Sequence, residues 1–342
     1  MKRFLIYSSL IMHNKYSYLT LLSWVIASYN LQGQIAIGDN LSLEGASSVG
    51  FISTQSSTSG NTNEIDIQEL LLELDFDHEK VSTEIEMNLS NGTMEINVAQ
   101  VSYTYNDALT FSAGRFDSLL FYEDNNITKR LNYSQAQGLL PEIVPFISQG
   151  VRGMANTEKG WLGLSWTDLL WDEPADREGS LNGGSGATEA QIGYRPLEGL
   201  EVAVSFGGQD SGDTGPNGTL WDVWLSYQKE KYLFVAEYAD FENTGAQDTD
   251  GNDDFANSEY LTGKTWMLLG SLDIGENGTL TARYSQEDQV SGGDSSKWTL
   301  TRSHAFGDNL SGRLEFSRDD RKYPAEPDEV IKLLSLEGIF RF

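Results

Sequence analysis

Apolar and polar residues alternate with a period of two along much of this chain, which commits it to β-strands with one greasy and one polar face. Leu70, Leu72, Leu74 and Phe76 interleave with Glu69, Leu71, Glu73, Asp75 and Asp77, and Val81, Thr83, Ile85, Met87 and Leu89 with Ser82, Glu84, Glu86 and Asn88. The pattern returns in Trp221, Val223, Leu225 and Tyr227 against Asp222, Trp224 and Ser226, and in Leu280, Ala282 and Tyr284 against Thr281, Arg283 and Ser285. Leu310, Gly312, Leu314 and Phe316 repeat it against Ser311, Arg313 and Glu315. A secreted β-sandwich or β-helix would bury the apolar faces against each other. Charged and hydroxyl-bearing faces in strand after strand suit instead a fold that is dry outside. One segment, 94–105, changes face between Val98 and Val101, which predicts a bulge or a shifted register.

The connections between strands decide the architecture. Tight turns are expected near His78-Glu79-Lys80, Asn106-Asp107, Thr157-Glu158-Lys159, Pro196-Leu197-Glu198, Lys229-Glu230-Lys231, Glu276-Asn277-Gly278 and Gly307-Asp308-Asn309. The other connections, near 54–65, 90–92, 118–148, 169–186, 208–218, 242–259, 288–296 and 319–330, are mostly longer and acidic. Seven turns on one rim and eight loops on the other join sixteen strands, within a range of fourteen to eighteen. Short turns on one side and long loops on the other build an all-β, antiparallel up-and-down transmembrane barrel. About nineteen residues per strand and connector are available, enough for the ~9–11 residues of a tilted membrane strand.

Residues 1–34 differ from the rest: their only charges are Lys2, Arg3 and Lys15, and an apolar run extends from Tyr18 to Ile26. They read as a signal peptide, with Met12 an alternative start and the cut between Ala27 and Gln34, leaving a barrel domain over 35–342. The chain has 23 basic and 51 acidic residues, and this segment holds three basic and no acidic ones, so the remainder carries −31. Such a surface repels nucleic acid and attracts cations. With no cysteine, lipoprotein anchors, thiolate metal sites and cysteine nucleophiles are excluded. His78 and His304 stand outside any G-x-S-x-G or H-E-x-x-H context, so the chain is not expected to be an enzyme.

At the end of the chain, Leu334, Leu336, Phe340 and Phe342 share one face with Gly338, opposite Ser335, Glu337 and Arg341. This resembles the terminal-strand signal read by the barrel-assembly machinery of Gram-negative bacteria. In the longest loop, Thr110-Phe111-Ser112-Ala113-Gly114-Arg115-Phe116 ends a strand, and Gly138-Leu139-Leu140-Pro141-Glu142 precedes Gly150-Val151-Arg152-Gly153-Met154. The combination is similar to the general, diffusive porins, with a Gly-Arg closing the fifth strand and a Leu-Pro-Glu in the third loop. It departs from them at Ile143, Val144, Pro145 and Phe146.

The resemblance implies a third loop folded into the lumen, a homotrimer in the bacterial outer membrane among lipid and lipopolysaccharide, and a constriction. Arg115 and Arg152 would form its wall, and Glu123, Asp124 and Glu142 its loop side. The expected function is passive diffusion of small hydrophilic solutes and ions, with cations preferred. Arg283 and Arg313 are expected to pair with Glu287 and Glu315. The alternatives are a substrate-selective barrel, with Trp161, Trp166, Trp221 and Trp224 as a sugar path, a non-conducting structural barrel, and an outer-membrane enzyme. Tyr103, Tyr105, Tyr194, Tyr227, Tyr232, Phe340 and Phe342 are expected to form a girdle near the tight-turn rim. No cofactor is expected; the acidic run Asp248 to Asp254 offers oxygens for loose Ca2+ binding at most.

Overall fold

The computed structural model describes residues 35–90, 93–123, 126–127, 130–132, 145–168, 170–171, 186–210, 217–248, 258–290, 293–322 and 327–342. The expected signal peptide lies outside them, as does the acidic run beyond Asp248. A two-residue strand, β1 (Ile35–Ala36), pairs with the start of the next strand. Sixteen longer strands follow: β2 (Leu41–Ser56), β3 (Gly60–His78), β4 (Val81–Ser90), β5 (Thr93–Asn106), β6 (Leu109–Asp117), β7 (Ile147–Thr157), β8 (Gly160–Thr167) and β9 (Gly186–Leu197). The second half comprises β10 (Leu200–Asp210), β11 (Gly218–Lys229), β12 (Tyr232–Asp248), β13 (Ser258–Asp273), β14 (Gly278–Gln289), β15 (Asp294–Ala305), β16 (Leu310–Lys322) and β17 (Glu329–Arg341). Every one of the sixteen pairs antiparallel with its neighbours in sequence, and β17 returns to β2, so the sheet closes without an edge. Among the described residues there is no helix.

Alternation along the strands turns the protein inside out. Val223 and Leu336 are 43% and 56% exposed on the outer face, while their neighbours Asp222 and Glu337 are 0% and 2% exposed inside. Bare aliphatic side chains outside and buried carboxylates within are what lipid and a polar lumen select. The outer face also carries exposed Tyr103, Tyr105, Tyr194 and Tyr232 near the rim of tight turns, four of the seven residues expected as a girdle; Tyr227, Phe340 and Phe342 are half-buried.

The seven tight turns fall where the breaker residues put them, each two to four residues long. On the opposite rim one expectation is corrected. Residues 54–65 are not a long loop: β2 and β3 stay paired up to Ser56 opposite Gly60, with a turn of three residues. Serine, threonine and asparagine read as breakers in sequence, yet they pair well once a partner strand satisfies the backbone. The turn is also tied to β17, since the Ser56 hydroxyl donates to Glu329 Oε1 at 2.6 Å and the Ser57 amide to the Val330 carbonyl at 3.0 Å. The change of face in 94–105 is a bulge: Ile96 pairs with Met87 and Val98 with Glu86, leaving Asn97 extra on β5.

The seam is closed by the last residue. Phe342 exchanges both backbone hydrogen bonds with Gly45, each 2.9 Å, and stacks on Phe340 with ring centroids 6.3 Å apart. A Cβ on Gly45 would stand 2.4 Å from the Phe342 ring, so the aromatic terminus rests on a position that only glycine leaves open. Leu334 and Leu336 point outward beside it.

Candidate functional site

The described residues of the connection between β6 and β7 (118–123, 126–127, 130–132 and 145–146) enter the lumen and are bonded to strands on several sides of it. Its first part is held through backbone amides. The Leu119 amide donates to Glu189 on β9 at 3.3 Å, that of Phe121 to Asp222 on β11 at 3.0 Å, and that of Tyr122 to Glu237 on β12 at 2.7 Å. The Ser118 hydroxyl donates to the same Glu189 oxygen, and Gln191 donates back to the Leu119 carbonyl at 2.6 Å. Phe121 has a φ of 68°, an uncommon choice for a bulky residue that costs roughly 1–3 kcal/mol. The three acidic acceptors on β9, β11 and β12 hold the loop in that conformation.

The loop then crosses the lumen. Glu123 pairs with Arg283 on β14 at 3.2 Å, with side chains only 8% and 0% exposed. Burial pushes the Glu123 carboxyl above the usual range, against the opposing pull of the Arg283 guanidinium. Asn126 donates to Glu86 on β4 at 2.9 Å, and Ile127 is buried among Ala46, Leu71 and Ile339. Arg130 pairs with Glu69 on β3. Arg313 on β16 donates to the carbonyls of Asn132 and Arg130, each at 3.1 Å, while also pairing with Glu337 at 3.2 Å.

Apolar inward residues mark where the loop lands. Leu120 and Phe121 pack with Leu220, Ala239, Phe241 and Leu261, and Tyr122 and Leu131 lie against Val235, Met267 and Leu269. Two further inward residues, Leu71 beside Ile127 and Trp224 beside Tyr122, already stand out in the sequence on otherwise polar faces.

Cavities flank the loop, and Arg130 and Leu131 line one of about 440 Å³ at the tight-turn rim together with Asn277, His304 and Arg313. One of about 180 Å³ lies on the long-loop side, lined by Glu86, Asn97, Asp117, Glu123 and Asn126 together with loop residues 118 and 120–122 and the start of β7. Another of about 480 Å³ lies at the tight-turn rim, lined by Tyr122, Arg195, Glu201, Ser226 and the turn between β9 and β10, among others. An inward loop in a polar lumen leaves the diameter and charge of the passage to the loop and to the wall it faces.

A sequence model of the family described as "Putative beta-barrel porin-2, OmpL-like" matches residues 29–342. The chain belongs to that family. It is an outer-membrane porin barrel, and its fold agrees with solved porins at low identity. OprB of Pseudomonas putida superposes with a TM-score of 0.68 at 8% identity, covering 89% of this chain and 94% of that one. Salmonella typhi OmpF, solved with daunomycin, gives 0.65 at 12% over 90% and 100% of the two chains. The outer membrane channel DcaP of Acinetobacter baumannii gives 0.64 at 12% over 91% and 100%. No curated protein matches the sequence.

Within this porin the expected constriction residues separate. Arg152 donates to the Asp117 carbonyl at 2.9 Å and lies 4.4 Å from the centroid of the Phe116 ring. Arg115 is half-buried, with Glu95 and Asp168 as its nearest charge partners. It follows Gly114, whose φ of 125° would bring a Cβ within 2.2 Å of the Ala99 carbonyl oxygen. Neither arginine is among the lining residues of the cavity above the loop, whereas Glu123 is. Asp124 and Glu142 lie outside the described residues. The ion pairs found for the two strand arginines are Arg283 with Glu123 and Arg313 with Glu337; Glu315 accepts from Thr301 and Glu287 from Gln289. The loop partners were invisible because sequence spacing speaks of neighbouring strands and not of a segment laid across them.

The four tryptophans of the sugar path also divide. Trp166 and Trp221 are exposed on the outer face. Trp161 and Trp224 face inward and stack on each other at 5.9 Å, with Arg195 4.6 Å from the centroid of the Trp161 ring.

Proposed function

We propose that this porin is a passive channel for small hydrophilic solutes and ions, that it prefers cations, and that it performs no chemistry on what passes. The observation that carries the reading is the lining of the cavity above the loop: Glu86, Asp117 and Glu123 contribute to it, and no lysine or arginine does among the described residues. In a passage this narrow the sign of the lining governs selectivity, because charge in a distant vestibule is screened over ~8 Å at physiological salt. Arg115 and Arg152 enter the reading as wall charges outside the lining, acting on Asp117 and Asp168 more than on the solute. His78 and His304 sit at the tight-turn ends of β3 and β15, ring to ring with Phe76 and Phe306 at 6.5 and 4.9 Å.

Assembly as a homotrimer, contact with lipopolysaccharide and delivery by the barrel-assembly machinery through Leu334, Leu336, Phe340 and Phe342 belong to the same reading. Vibrio cholerae OmpT, solved in a trimer form, has a similar fold at a TM-score of 0.58. Reversal potential in a KCl gradient across a planar bilayer tests the function: a potential of the sign set by potassium supports it, and one set by chloride overturns the cation preference.

A further inference from the structure

The cavity of about 480 Å³ bounded by β9 to β12 at the tight-turn rim sets fixed planar polar groups beside apolar ones. Arg195 is anchored on three sides. Its Nε donates to Glu201 Oε1 at 2.7 Å, its Nη1 donates to the Thr157 carbonyl at 3.1 Å, and its guanidinium carbon lies 4.6 Å from the centroid of the Trp161 ring. Trp161 is fixed in turn, since its indole nitrogen donates to Gln191 at 2.6 Å and a Cβ on Gly193 would fall 2.1 Å from its ring. The strand register carries the polar row onward, with Ser226 opposite Glu201 and Gln228 two residues farther along β11. Leu200, Leu233 and Tyr122 supply the apolar part of the lining.

These polar groups keep hydrogen-bonding capacity in reserve. The second oxygen of Glu201, the second terminal nitrogen of Arg195 and the side-chain amide of Gln228 make no hydrogen bond to a described residue. Charge does not account for the arrangement. Arg195 and Glu201 neutralise each other, and Glu158 and Glu198 stand exposed on the neighbouring turns, where salt screens them over ~8 Å. What remains is a set of donors and acceptors beside carbon surfaces, in a volume within the roughly 300–1,000 Å³ of small-molecule sites. That combination suits a neutral ring with hydroxyls at its edge and C–H groups on its faces.

We propose that this cavity is a binding site for a neutral sugar of one or two rings, with Arg195, Glu201 and Gln228 hydrogen-bonding its hydroxyls. The proposal rests on the channel reading above and goes beyond it, because a solute that pauses at the mouth makes its own passage saturable. Arg195 is held in place before any sugar arrives, so binding spends little on ordering that side chain.

The test titrates purified protein with glucose and with maltose by isothermal calorimetry, in a detergent without a sugar headgroup, and records KCl current in planar bilayers over the same concentrations. Wild type should bind in the millimolar range, and its current should fall to a plateau as sugar is added. Gln228→Ala and Glu201→Gln should each weaken binding about tenfold, the worth of one hydrogen bond. Trp221→Phe, on the outer face, should bind as the wild type does. Gln228 has no side-chain partner among the described residues, so a merely structural role would leave the affinity of its variant unchanged, and that result overturns the proposal. It is overturned as well if neither sugar gives heat of binding, or if putrescine binds saturably and the sugars do not, which would make the cavity a cation site. Sugar binding to a protein that passes no current would keep the site and defeat the channel reading, whereas current without sugar binding would keep the channel and remove the site.

Discussion

The two halves of the lumen-crossing loop are held by opposite chemistry. Residues 118–122 present amide N–H groups to carboxylates on β9, β11 and β12, whereas at 130–132 backbone carbonyls are presented to one guanidinium on β16. In both halves the wall recognises the loop's main chain, joined in the second by the side chains of Asn126, Arg130 and Asn132. A backbone carries the same donors and acceptors whatever its side chains, so the anchors fix the path of the loop while leaving its side chains to line the passage. The difference is in cost. The amide side commits three acids to the main chain, while the carbonyl side has one arginine there, itself paired with a buried acid, beside the side-chain contacts Arg130–Glu69 and Asn126–Glu86.

That asymmetry gives the order of expected effects. Arg313→Ala should be the most damaging, because it releases two loop carbonyls and strands Glu337 inside the barrel, a loss of about 3–5 kcal/mol in urea unfolding from lipid vesicles. Arg313→Lys should recover part of it. Next, Asp222→Ala combined with Glu237→Ala removes two amide acceptors but also two crowded carboxylates. The loss should be smaller, about 2–3 kcal/mol, accompanied by higher and noisier single-channel current as the loop loosens. If the double variant proves as damaging as the arginine variant, the two halves are equivalent and the comparison fails.

Charge at the passage should matter less for stability and more for selectivity. Glu123→Gln should bring the reversal potential measurably closer to zero. Since burial raises the Glu123 carboxyl above its ordinary value of 4.5, the fold favours its neutral form. Its contribution to stability is therefore largest in acid and declines as pH rises through the raised value. Cation preference follows the opposite course, weakening on acidification at a higher pH than exposed glutamates protonate, and the glutamine variant should lack that component. Smallest of all is the expected change for Arg152→Ala, which loses the bond to the Asp117 carbonyl and the Phe116 contact but alters no lining residue of the cavity. Its reversal potential should move less than that of Glu123→Gln.

The barrel was legible because lipid imposes a simple rule on every strand. Alternation gave the inward and outward faces, breaker residues placed the seven tight turns, and the long third loop stood out by length alone. The aromatic terminus was equally readable, although its seat on Gly45 depends on a close approach that no spacing reveals. The first loop misled because Ser56 to Gly60 is composed like a loop and paired like a hairpin. The site was less legible. Glu123 could be placed on the loop but its partner Arg283, 160 residues on, could not. Leu71 and Trp224 interrupt polar faces, and such interruptions in a membrane strand are the trace a lumenal loop leaves in the wall it packs on.

The absence of native cysteine makes the central claim directly measurable. Single cysteines at Asn97 and Asp117 face the cavity, and single cysteines at Val223 and Leu336 face outward. In protein reconstituted in lipid, a charged, water-soluble thiol reagent should label the first two and reduce the channel current, while the outer two should react only with a lipid-soluble maleimide. The reverse pattern, with outer positions labelled from water and the cavity positions protected and electrically silent, would contradict an inside-out barrel around a water-filled passage.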